Sequence, residues 1–240
     1  MTLPEAHDPT ASATTYAACP ADLTQLSRNE VETLCLKAAR GAGLSWGLAE
    51  EAGFAIGWLT AQGVDGATAL LAHLAGWAPA TGVIDTTNRL WRAASHDGLC
   101  PIAAGAALED HAQLDAGPYH GGIGLQALRH PLLVLPFLAR MAQASQSALA
   151  FGWSGGTVTI LPGRPIDPKA LLALGQIAQD NITVAPAAAI APVDQTATKT
   201  TPCAVPAATL AGLNALSMRT TVPASEQSRR GAGGTTSDND

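Results

Sequence analysis

The sequence predicts an α+β protein: a helical N-terminal unit followed by a smaller mixed unit with a short, mostly antiparallel sheet. Three observations carry this. Between residues 27 and 75, apolar side chains recur at three- and four-residue spacing behind helix-capping residues. From residue 148 to 161 the period changes to two, on either side of a tight Ser154-Gly155-Gly156 turn. Alanine is the most abundant residue and aromatics make up only 4%, a composition suited to closely packed helices.

Residues 1–25 are rich in Ala, Thr and Pro without a period and read as a loose, disordered tail. A helical unit follows over 26–97. Ser27-Arg28-Asn29-Glu30 is a capping box, in which the Ser hydroxyl serves an orphan N–H and Glu30 reaches back. Val31, Leu34, Cys35 and Ala38 then share one helical face, and Gly41 or Gly43 ends the helix. A second helix starts near Ser45 and stops near Gly63. Its Gly53 and Gly57 each cost about 1 kcal/mol relative to Ala and predict close approach of another backbone. A third helix spans about Ala67–Ala75, capped by Asp65 or Gly66, and a weaker one about Ile84–Ala94.

A mixed unit over 98–185 comes next. Leu99-Cys100-Pro101-Ile102 predicts a strand running to about Ala107, and residues 115–124 are turn-rich. Pro131–Ala144 predicts a helix, with Leu132–Leu135 extended if it begins at Pro136. The hairpin of residues 148–153 and 157–161 is the clearest β signal. A helix over about 168–179 and a strand over 181–185 complete the unit. Residues 186–206 read as a linker or irregular loop, and 207–240 as a helix to Met218 followed by a Gly-rich tail.

The bulk numbers exclude several classes. In 240 residues, 47% are hydrophobic and 13% charged, which rules out disorder throughout. A net charge of −6 with pI ≈ 5.4, and no Lys/Arg stripe, argues against nucleic acid as a partner. The longest apolar run, Pro131–Ala139, would rise about 13 Å as a helix against a hydrocarbon core of roughly 30 Å, so no membrane segment is expected. Met1–Thr10 carries Glu5 and Asp8 and no basic region, unlike a secretory signal. Cys19, Cys35, Cys100 and Cys203 show no metal or disulfide spacing and read as reduced thiols, hence a cytoplasmic expectation.

Two Gly-rich elements supply the candidate ligand-binding residues. In Arg40–Gly53, Gly41 and Gly43 form a loop whose N–H groups could meet an anion at the start of the second helix, with charge from Arg40 and a hydroxyl from Ser45. The bland alternative is a helix–Gly–helix corner whose glycines serve only backbone geometry. Near the end, Ser228, Arg229 and Gly231 could wrap a carboxylate, whereas composition alone says flexible tail. Glu50 and Asp110 are the candidate acid/base groups. The histidines at 111, 120 and 130 match no usual metal spacing, no metal site is expected, and no cofactor is indicated. The five tryptophans read as core or subunit contacts.

Arg40–Gly53, reading R-G-A-G-L-S-W-G-L-A-E-E-A-G, resembles the N-terminal hallmark of a bacterial domain-of-unknown-function family. Cys100-Pro101 with Gly105-Ala106, Leu132–Leu138 with the Trp153 hairpin, and the ending Ser228-Arg229, Gly231-Ala232-Gly233 and Asp238-Asn239-Asp240 are similar to its later parts. The resemblance implies that the tail folds onto something and that the two Gly-rich elements share a site. It implies no activity. The chain departs from the pattern at Thr221 and at Gly234-Thr235-Thr236. The expectation is a protein that binds or converts a small anionic carboxylate metabolite. The alternative is a non-catalytic subunit, as a homo-oligomer or as the partner of a metabolic enzyme.

Overall fold

The computed structural model describes residues 22–77, 83–94, 98–188 and 203–221. Strand β1 (Leu23–Leu26) leads into α1 (Arg28–Gly41). The capping box forms in full: the Glu30 N–H donates to Ser27 Oγ (3.3 Å) and the Ser27 N–H to Glu30 Oε2 (2.7 Å). Such a cap is worth about 1 kcal/mol. Val31, Cys35, Ala38 and Ala39 are the buried face of α1, which lies on α2 (Trp46–Ala61). Two of the three glycines of α2, Gly53 and Gly57, make this possible. A Cβ on Gly53 would sit 3.0 Å from the Glu32 carbonyl oxygen, and one on Gly57 would strike the Glu32 carboxylate. Asp65 caps α3 (Gly66–Ala75), its Oδ1 accepting from the Thr68 N–H at 3.0 Å.

The second layer is a six-stranded sheet in the order β2 (Ile84–Asp85), β3 (Leu90–Ala93), β4 (Ile123–Arg129), β7 (Gln179–Pro186), β5 (Leu149–Trp153), β6 (Gly156–Ile160). Only β3 and β4 run parallel, joined through α4 (Pro101–Asp110); the other pairings are antiparallel. The fold is α+β, as expected. Alternate residues point into the core, among them Leu125, Leu149, Phe151, Ile160, Ile182 and Val184, while Gln179, Asn181 and Thr183 face water. A 3-10 turn, Pro131–Val134, leads into α5 (Leu135–Ser145), so Pro136 sits in the first turn, where its missing N–H costs nothing. Helix α6 (Pro168–Gly175) follows the hairpin. Strand β8 (Cys203–Pro206) pairs antiparallel with β1, and α7 (Ala207–Ser217) packs on α1. One apolar core runs from Val31 through the sheet to Leu213.

Several elements differ from the sequence-based expectation. Residues 84–94 hold β2 and β3, not a helix. Leu90↔Gly124 and Trp91↔Leu125 pair across the sheet, and Trp91 is buried between exposed neighbours, a period of two. Residues 101–110 form a helix, not a strand: Cys100 is its N-cap, Pro101 its first residue, and four alanines follow. Strand β4 begins inside the turn-rich stretch. Leu23–Gln25 and Cys203–Pro206, expected as tail and linker, belong to β1 and β8, which stitch the two ends of the described chain together.

Candidate functional site

Arg140 on α5 joins three helices. Its Nε donates to Glu109 Oε1 on α4 (2.6 Å), and its Nη2 donates to Glu51 Oε2 on α2 (2.6 Å) and to Glu109 Oε2. Its guanidinium carbon lies 3.9 Å from the Phe54 ring centroid. Phe54 in turn meets Phe137 edge-on at 5.9 Å. The three charged side chains are 21–38% exposed, so water screens them only in part. Burial raises the Glu109 carboxyl above its ordinary value and outweighs the opposing pull of Arg140. The two carboxylates raise the Arg140 pKa further, so it stays charged at every working pH.

Beside this knot lies a cavity of about 520 Å³. Helix α2 contributes Phe54, Trp58 and Gln62, and α5 contributes Arg140 and Gln143. The loop after β6 contributes Leu161, Arg164 and Pro165. Its volume suits a small organic ligand, and its lining is apolar with a few polar groups, the usual character of such sites. Two guanidinium groups and two carboxamides are its polar chemistry. Among the described residues, the lining holds no carboxylate, imidazole, thiol or hydroxyl.

The sequence-predicted residues are placed differently. Glu50 and Asp110 are exposed; their chain neighbours Glu51 and Glu109 are the carboxylates that converge. One position on a helix turns a side chain by 100° about the axis, enough to move it from the interface to water. At the corner, the N–H groups of Ala42, Gly43 and Leu44 donate to the carbonyls of Ala38, Arg40 and Ala39 at 2.9–3.1 Å. They are not open to an anion. Ser45 caps α2, accepting from the Leu48 N–H (3.3 Å). Arg40 donates to the Leu44 carbonyl and lies 4.7 Å from the Trp46 ring centroid. Gly41 is required because the Leu216 carbonyl occupies the space a Cβ would need, and Gly43 has φ +101°. The corner is therefore a packing joint: α7 and Arg219 close over it. Ser228, Arg229 and Gly231 lie outside the described residues.

Phe54, Trp58, Arg140 and Arg164 are not among the sequence-predicted residues. A signal is present: Glu51, Phe54 and Trp58 recur at i, i+3 and i+7, a second stripe on α2 beside the core-facing one. Nothing in the sequence ties that stripe to Arg140, 82 positions beyond Trp58.

A second polar cluster is sealed in the core. Cys100 Sγ is 3.3 Å from His73 Nε2, and both residues are fully buried. Burial holds the imidazole neutral, down to about 3, with Arg129 and His130 adding to the effect. Burial also pushes the thiol up to about 11. The pair is thus uncharged and structural at neutral pH. His73 Nδ1 and Trp77 Nε1 are buried without hydrogen-bond partners among the described residues. No group of three or more metal-ligating side chains occurs among the described residues. None of their helices is long and apolar enough to cross a membrane.

Residues 26–110 match the model of a protein family described as a protein of unknown function, DUF3726. The likeness to a domain-of-unknown-function family thus holds over α1 to α4, a stretch that includes the glycine corner, Glu51, Phe54, Trp58 and Glu109. No curated protein and no solved structure matches the chain.

Proposed function

We propose that this protein binds a small carboxylate metabolite, in the cytoplasm, in the cavity between α2, α5 and the loop after β6. The observation that carries the reading is the cavity itself: about 520 Å³, walled by Phe54 and Trp58, with Arg140 and Arg164 at its surface. A guanidinium presents donors in the plane that a carboxylate accepts. The lining favours binding over bond chemistry, because a reaction at neutral pH needs a proton acceptor or nucleophile within reach of the guest.

The test is a thermal-shift screen of wild type and Arg164→Glu against carboxylate metabolites and their neutral amides. A ligand at a hundredfold excess over its Kd stabilises by about 2.7 kcal/mol, or roughly 5 °C or more for a chain of this size. The shift is expected for acids on wild type, not for amides, and not on Arg164→Glu. A chain ending at Ala224 tests whether Ser228, Arg229 and Gly231 contribute. Acids and amides acting alike, or no acid shifting the wild type, would overturn the proposal.

A second reading, a subunit that docks on a like or unlike partner, rests on Trp46. This side chain is 64% exposed beside Arg40, and Trp and Arg dominate interface hot spots. A sedimentation coefficient independent of concentration, and equal in wild type and Trp46→Ala, would remove its homo-oligomeric form.

A further inference from the structure

The charge around the cavity narrows what it can hold. Arg140 and Arg164 supply two positive charges, but Glu51 and Glu109 already answer Arg140 with two negative ones, so the four groups sum to zero. Arg140 spends Nε and Nη2 on those carboxylates, and only Nη1 has no partner among the described residues. Arg164 forms no ion pair among them. One uncommitted cation and one spare guanidinium nitrogen suit a single negative charge. A dianion or phosphate would meet a field that Glu51 and Glu109 have cancelled, and would forfeit hydration without full compensation.

The remaining lining says what the rest of the guest looks like. Phe54 and Trp58 stand one turn apart on α2, and Leu161 and Pro165 come from the loop. Arg140 already lies against Phe54, so Trp58 is the ring left to the guest. A short, fully hydrated acid would leave these surfaces wet, whereas a flat apolar body would cover them at about 25 cal/mol per Å².

We infer that the cavity selects a monoanionic aromatic carboxylate, its ring on the Trp58 wall and its carboxylate on Arg164 and Arg140 Nη1. This rests on the carboxylate-binding reading above and goes further by naming the class. It also gives the knot a second task. By engaging Arg140, Glu51 and Glu109 leave Arg164 as the one lining cation without an ion pair among the described residues, which limits the site to one negative charge.

The full chain is titrated with 3-phenylpropionate, 3-phenylpropionamide, succinate and inorganic phosphate, followed by isothermal calorimetry and by tryptophan fluorescence. The acid is expected to bind saturably. The amide should bind about tenfold more weakly or worse, since a charge-assisted hydrogen bond is lost. Succinate and phosphate should not bind measurably. Arg164→Gln should weaken the acid by about tenfold with an unchanged melting temperature, because this exposed side chain has no hydrogen-bond or ion-pair partner among the described residues. Succinate binding ahead of 3-phenylpropionate, and depending on Arg164, would overturn the aromatic class yet leave the carboxylate reading standing. Phosphate binding ahead of both acids would overturn the single-charge argument. Binding of the acid unchanged in both Arg164→Gln and Trp58→Leu would overturn the location. No binding by any of the four probes overturns the aromatic class, while the metabolite screen above decides the broader reading separately.

Discussion

At neutral pH neither His73 nor Cys100 carries charge, because the fold has taken both out of water. The unfolded chain protonates His73 near 6.5, the folded chain only near 3. Between those values the unfolded state binds more protons, so stability is complete above pH 6.5 and falls as the pH drops through the window. One such group accounts for up to about 1.4 kcal/mol per pH unit. Urea unfolding at pH 7, 6 and 5 should show this slope in wild type and a flatter one in His73→Leu, whatever the variant's absolute stability. Equal slopes would mean that the imidazole is not held neutral. Cys100 works in the opposite range, its contribution being lost as pH rises from 9 toward 11. At this scale the caps are legible in the sequence, since Ser27, Ser45 and Asp65 each act on an N–H three residues on. The His73–Cys100 pair is not, because one member lies within α3 and the other caps α4.

Among elements, α2 is the busiest. One stripe carries Ala52, Ala55, Ile56 and Leu59 into the core, its glycines admit α1, and Glu51, Phe54 and Trp58 form the knot and the cavity wall. Arg140 ties α2 to α4 and α5. Replacing it with Met leaves two carboxylates near one another and the apolar stem in place. Stability should fall by about 2 kcal/mol, an amount already discounted for partial exposure. Adding Glu109→Gln to Arg140→Met should recover part of that loss, which a double-mutant cycle in urea measures. Two losses that simply add would show that the ion pairs contribute independently and that the knot is not a unit. Helical period and capping make α1, α2 and α3 readable, and the tight turn does the same for the hairpin. The helix over 101–110 follows from local signals, Cys100 as N-cap, Pro101 in the first turn and four alanines, whereas the strands over 84–94 do not. A run such as Leu-Trp-Arg-Ala is too short for its period to decide, and pairing with a distant strand decides it instead.

At the level of the molecule, the described ends of the chain meet. Strand β8 pairs with β1, Val205 and Leu213 are fully buried, and the Leu216 carbonyl rests on Gly41. The C-terminal segment is thus part of the helical layer's core. Deleting residues 203–240 should remove cooperative thermal unfolding by circular dichroism, since each large apolar side chain lost from a core costs about 2–5 kcal/mol. A chain ending at Thr221 should keep it. Equal melting curves for both truncations would show that α7 is dispensable.

Local rules suffice wherever cause and effect lie within a few residues: caps, helix faces, the hairpin, the glycines that let α1 and α2 touch, and from these the α+β class. The partners of those faces belong to the three-dimensional fold alone. Glu51, Glu109 and Arg140 stand far apart in the chain, and so do Gly41 and Leu216. Such meetings are set by how whole layers bury their apolar surface, a collective result that no short window of sequence contains.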